Sequence, residues 1–237
     1  MAKRILLGLT TITPGEWRNK VKEIDELGLK EIAIFPTSLD PVERWELYGL
    51  LEKTGLKTIP FVHLRNDMEF EEIDFIANRF RVEIFSVHSE TDHYSPAVDY
   101  KKYFKMIYVE NTPGHVPTEN DLKKYAGLCF DLSHWESCDL EKAENNRESR
   151  QLRILAGEHK IGVNHISAIK PEIVHSYDKL AKMDFYGYDD HYVNNLSEVD
   201  YIKKYKDYLA DIISLEMENS LKRQLEIKKY LEEMLNL

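Results

Sequence analysis

The sequence predicts an α/β protein, a closed (β/α)8 barrel of the TIM type, in a single domain over residues 1–237. Three observations predict it. Short β-type runs recur eight times along the chain, helix-like segments separate most of them, and no Gly-rich fingerprint follows the first run. Alternation of strand and helix signals implies a parallel sheet, and eight repeats in this length fit ring closure. A doubly wound open sheet is the alternative, but dinucleotide binding would require glycines after the first strand.

The runs are ILLGLT (5–10), EIAIFP (31–36), TIPFVH (58–63), VEIFSVH (82–88), MIYVE (106–110), GLCFD (127–131), IGVNH (161–165) and DIISLE (211–216). Thr13-Pro14-Gly15-Glu16 and Asp40-Pro41-Val42-Glu43 each offer a cap, a proline at the first helical position and a glutamate at the third, so helices are expected over 14–28 and 41–54. Further helical patterns cover 69–79, 118–125, 139–157 and 197–209, and SLKRQLEIKKYLEEML makes an amphipathic helix over 220–235 that would close the ring. Residues 89–105 show no full helix between the fourth and fifth runs.

Composition is that of an ordinary globular chain, 43% hydrophobic and 31% charged, with 10 Gly and 8 Pro. The net charge of -10 speaks against a surface built throughout for nucleic acid or anionic membrane. No stretch reaches the apolar length of a membrane helix, and MAKRILLGLTTITPGEW has a Thr-rich segment where a signal peptide would carry its cleavage region. Cys129 and Cys138 suggest no disulfide framework. A cytoplasmic protein with reduced thiols and no membrane partner is expected; oligomeric state is open.

Chemistry in such a barrel sits at the C-terminal ends of the strands. The residues there are His63, His88, Glu110, Asp131 with His134 just beyond, His165 and Glu216; the loop before the last strand adds Asp189 and His191. Each has a bland reading as a capping or strand-end residue. Five of nine histidines nevertheless fall at these ends or in the run DDH, which decides for a common purpose. Imidazoles and carboxylates converging on one mouth form a coordination sphere for a divalent ion, zinc or manganese first, with iron open on ligand type. Glu218 competes with Glu216, because both face inward only if the strand bends.

The elements VENT (109–112), CFDLSH (129–134), NHIS (164–167), DDH (189–191) and SLEMEN (214–219) resemble, in order and over most of the chain, the xylose isomerase-like TIM barrels, which include sugar phosphate isomerases, epimerases and endonuclease IV. The resemblance implies Glu110, Asp131, His165 and Glu216 as a four-ligand site for one ion. It implies His63, His88, His134, Asp189 and His191 as further ligands where three ions are held, so one to three ions per chain. A Gly-x-Gly after the D-x-H element and the Glu-Pro-Lys-Pro signature of true xylose isomerases are absent.

Two chemistries follow. In the leading one, a small sugar or sugar phosphate is isomerised or epimerised by proton transfer between Glu110 and Glu216, with His134 on a substrate hydroxyl and Arg65 or Lys170 on a phosphate. In the alternative, a multinuclear cluster hydrolyses a phosphodiester at abasic DNA, and YKKYFK (100–105) is the best candidate grip on the duplex. An iron oxidase and a binding barrel without catalysis stand behind these. Tyr186, Tyr188 and Tyr192 are expected at the site mouth, with a partner surface as the alternative.

Overall fold

The computed structural model describes residues 3–13, 16–92, 100–141, 146–178 and 183–237. Nine parallel segments form one ladder: β1 (Arg4–Leu6), β2 (Gly8–Thr10), β3 (Glu31–Phe35), β4 (Thr58–His63), β5 (Ile84–His88), β6 (Ile107–Glu110), β7 (Gly127–Asp131), β8 (Ile161–Ile166) and, late in the chain, Ile212–Leu215. All eight expected runs are strands. The first is broken at Leu7: β1 pairs with Ile212–Leu215 and β2 with β3, so one run joins both ends of the ladder. Leu7 bridges the break, its carbonyl accepting from Ala33 N at 2.8 Å.

Strand alternation sorts the side chains into two apolar layers. Leu6, Ala33, Phe35, Phe61, Tyr108, Cys129, Val163 and Ile212 fill the barrel interior. A larger cluster, with Ile34, Val62, Phe85, Val109, Phe130 and Ile213, packs outward against the helices. Gly8 is required where the ring closes, since a Cβ there would lie 1.8 Å from the carbonyl oxygen of Leu215.

The helices are α1 (Trp17–Glu26), α2 (Pro41–Leu51), α3 (Phe70–Phe80), α4 (Glu119–Lys124), α5 (Leu132–Glu141), α6 (Arg147–Glu158) and α7 (Leu221–Leu235). The Asp40 capping box forms as expected, with Asp40 accepting from Glu43 N at 2.9 Å. Part of the expected cap of α1, Pro14 and Gly15, lies outside the described residues. Its helix begins only at Trp17, and Thr13 N instead donates to Glu218 at 3.0 Å.

Three expectations need correction. The single helix over 139–157 is two: α5 starts directly after β7, and the Asn146 side chain caps a fresh start by accepting from Glu148 and Ser149. The helix expected over 197–209 is a 3-10 segment, Leu196–Tyr208, with a non-helical residue at Tyr205. Between β8 and the last barrel strand stands an antiparallel hairpin, β9 (Ala168–Asp178) and β10 (Met183–Asp190), so the last barrel strand is β11 (Ile212–Leu215). Asp189 therefore sits within a strand, not a loop. Segment 89–105 has a short 3-10 turn, Lys101–Tyr103; residues 93–99 fall outside the described ones. No helix among the described residues is long and apolar enough to cross a membrane.

Candidate metal centre

Parallel pairing brings the ends of successive strands to one level. His63, His88, Glu110 and Asp131 are the last residues of β4, β5, β6 and β7. His165 is one short of the end of β8, and Glu216 follows β11, its N–H donating to Ile166 O at 2.9 Å. In the ladder, His88 stands opposite Glu110 and Asp131 opposite His165.

Glu110, Asp131, His165 and Glu216 each offer one donor atom to a group whose members lie within 4.8 Å of one another. All four are buried. His165 Nδ1 lies 3.2 Å from Glu110 Oε1 and 3.3 Å from Glu216 Oε2. Among the described residues, Glu110 Oε2, Asp131 Oδ2 and His165 Nδ1 have no hydrogen-bond partner. Buried polar atoms left unpaired carry a cost that a shared ligand removes, and carboxylates with an imidazole suit a divalent ion. The residues fit such an ion.

The electrostatics show the same crowding. Burial pushes Glu110 upward, but the imidazoles of His165 and His63 outweigh it and hold the carboxyl well below its usual range. Burial raises Asp131. Glu216 is buried too, and the imidazoles of His165 and His191 beside it bring it down. Desolvation alone would lower His134, yet Asp131 and Asp189 lift it to about 10.

Two flanks adjoin this core. On one side Glu110 is shared: its Oε2 lies 3.1 Å from His63 Nε2, and His63, His88 and Glu110 form a second group with donor atoms within 4.8 Å. On the other, His134 spans Asp131 at 3.5 Å and Asp189 at 3.3 Å, while His191 Nε2 is 3.6 Å from Glu216 Oε1. The hairpin thus delivers Asp189 and His191 to the rim. All nine expected residues gather at one mouth.

The choice between the two glutamates is geometric. Glu216 turns toward His165 and His191. Glu218 turns away, accepting from Ile12 N and Thr13 N and lying 3.8 Å from the buried Lys20 ammonium. Lys20 is held by Thr10 Oγ1 at 2.7 Å and Met217 O at 3.0 Å.

Arg65 and Lys170 do not join the cluster. Arg65 bonds Asp67 at 2.8 Å and the Thr37 carbonyl; Lys170 pairs with Glu198 at 2.8 Å and Asp190 at 3.5 Å. Local carboxylates already neutralise these cations, so the expected phosphate contacts lose their support. Tyr100 and Tyr103 of YKKYFK are core residues, Tyr100 OH donating to Met68 O, so neither tyrosine ring is at the surface. Tyr186 and Tyr192 are exposed and Tyr188 is half-buried.

Some supporting residues escaped the sequence reading. Asn111 clasps the Asp131 peptide, Nδ2 donating to its carbonyl and Oδ1 accepting from its N–H, both at 3.0 Å. Gln224, wholly buried, bonds Gly8 N and O, Met217 O and Asn219 O and so pins the segment after β11. Asn111 stood in a quoted element, VENT; Gln224 carried no signal within its helix.

No family model and no curated protein matches the sequence. Among solved structures, a xylose isomerase-like TIM barrel protein from Mycobacterium smegmatis, crystallised in complex with magnesium, superposes over 98% of this chain and 96% of its own, with a TM-score of 0.53 at 14% identity. The chain has the xylose isomerase-like barrel fold. The likeness is one of backbone, since so few residues are shared. In this barrel the case for a metal rests on the chain's own clustered donors, in the groups around Glu110.

Proposed function

We propose that the chain is a divalent-metal-dependent enzyme that isomerises or epimerises a small sugar. The observation that carries this reading is the buried group Glu110, Asp131, His165 and Glu216, with donor atoms within 4.8 Å of one another. A bound divalent ion would polarise a carbonyl and its neighbouring hydroxyl, lowering the barrier to removing the carbon-bound proton between them. Glu110 and Glu216 come from β6 and β11, which are not neighbours in the ladder, and flank His165 Nδ1. One carboxylate takes the proton and the other supplies one on the opposite face or at the adjacent carbon. His134 holds a substrate hydroxyl. The pairing of Arg65 and Lys170 favours an uncharged sugar over a sugar phosphate.

A second reading has its own observation. Glu110 also faces His63 at 3.1 Å within the group His63, His88 and Glu110, so one carboxylate could join two ions, an arrangement suited to phosphodiester hydrolysis. The acidic balance and the burial of Tyr100 and Tyr103 disfavour DNA as its substrate.

Metal analysis of the purified, reloaded protein separates them. One equivalent of zinc, manganese or magnesium, with sugar isomerisation abolished in Glu110→Gln, supports the first. Two or more equivalents with cleavage of an abasic-site oligonucleotide, lost in Glu110→Gln, establishes the second. A chain that takes up no metal sinks both.

A further inference from the structure

His165 uses its two ring nitrogens in opposite directions. Nδ1 faces Glu110 and Glu216; Nε2 lies 3.2 Å from Cys129 Sγ. The ring is fully buried, with Phe35 and Phe61 across its edges at centroid distances of 5.1 and 5.0 Å. The surroundings on the Nε2 side are the apolar barrel interior, to which Cys129 itself belongs.

A neutral imidazole that gives the Nδ1 lone pair to an ion must keep its proton on Nε2. Inside an apolar layer that N–H needs an acceptor. We propose that Cys129 is a positioning residue for His165, its sulfur accepting from Nε2–H so that the ring presents Nδ1 to the metal. This rests on the metal-centre reading above. Metal-bound histidines commonly use a carboxylate or carbonyl for this purpose; here a thiol supplies the acceptor.

The alternative role is coordination, because Glu110, Cys129 and His165 also form a group with donor atoms within 4.8 Å. The spectrum of bound cobalt(II) distinguishes the two, since a coordinated sulfur adds an intense near-ultraviolet charge-transfer band. The experiment titrates the full-length protein, Cys129→Ala and Cys129→Ser with cobalt(II) and with zinc(II). Thermal unfolding of the metal-free forms confirms that each variant folds, and nitrogen NMR of the zinc-loaded proteins reads the His165 tautomer.

Expected are visible cobalt bands without the sulfur band in wild type, and a proton on Nε2 of His165. Zinc affinity should fall about tenfold or more in Cys129→Ala, within the range for removing the support of a metal-bound histidine. Cys129→Ser, whose hydroxyl also accepts, should remain closer to wild type than to the alanine variant. A folded Cys129→Ala that binds zinc as tightly as wild type with an unchanged tautomer overturns the proposal, as does a sulfur band that vanishes in Cys129→Ser. If wild type binds neither metal, the metal centre itself falls and the proposal with it.

Discussion

Glu216 and Glu218 are two residues apart on one segment, yet they stand in unlike surroundings. Glu216 meets two imidazoles; Glu218 meets two backbone N–H groups and a lysine. Glu216→Gln should abolish tight zinc binding, measured by calorimetry. Glu218→Gln should leave that affinity within a few-fold and cost ~1–3 kcal/mol in chemical denaturation, because the buried Lys20 loses its counter-charge. Burial outweighs Glu218 and brings Lys20 down to about 8. The folded chain therefore releases that proton before the unfolded one does. Stability contributed by this residue should rise with pH from about 8 toward the ordinary lysine range near 10.4, a rise absent in Lys20→Met. Sequence could place both glutamates at a strand end, but it held no sign of the lysine ten residues after Thr10 that claims one of them.

The histidines carry a further residue-scale consequence. Despite burial, Cys129 and Glu110 lift His165, Glu216 lifts His191, and Asp131 with Asp189 lifts His134 above the ordinary imidazole value. In the metal-free chain His134, lifted to about 10, is protonated at neutral pH. That contribution to metal-free stability is complete below the ordinary imidazole pKa and is lost as pH rises through the raised values. Metal needs them neutral, so zinc binding should expel protons and strengthen as pH rises. Calorimetry in two buffers of different ionisation enthalpy measures the release; a release near zero at pH 6 would contradict it.

Elements differ in how far the sequence disclosed them. All eight barrel strands were legible because each is a short apolar run closed by punctuation, and each is buried on both faces in a parallel sheet. The hairpin β9–β10 was not legible. AIKPEIVHSYD carries Pro171 and many polar residues, and the sequence that separates it from its pairing partner, KLAK (179–182), carries no Asn-Gly signal. The split of 139–157 was hidden for a related reason: α5 begins on the very residue after β7, where Asp131 both ends the strand and accepts from His134 N at 2.8 Å. That capping reading and the ligand reading of Asp131 are compatible, since its other oxygen is the unpartnered one.

At the same scale, Asn111 ties the ends of β6 and β7 through the Asp131 peptide. Asn111→Ala should lower zinc affinity several-fold and stability by ~1–3 kcal/mol, since it leaves a buried peptide N–H and C=O unpaired. Equal metal affinity in the variant would show that Asp131 is held by the ladder alone.

Over the whole molecule, the four central donors come from β6, β7, β8 and just past β11, so an ion would cross-link half of the ring. Ligand binding only to the folded state adds stability by mass action. For a chain of this size, zinc at one hundred times its dissociation constant should raise Tm by about 5–10 °C, and chelation should reverse it. The increment should disappear in Glu110→Gln, as differential scanning calorimetry would show.

The hairpin divides the mouth into two parts with different freedom. Glu110, Asp131 and His165 sit in the ring ladder, where a one-residue slip would turn each donor to the opposite face, so their spacing is locked to the register of the whole ring. Asp189 and His191 answer to a two-stranded excursion that already tolerates an irregularity between Gly187 and Asp189. Neither of its strands pairs with a barrel strand, so its own register can change without disturbing the ring ladder. Descendants of this chain could therefore trade one substrate for another by rewriting the excursion alone, keeping the ion's seat as an inheritance.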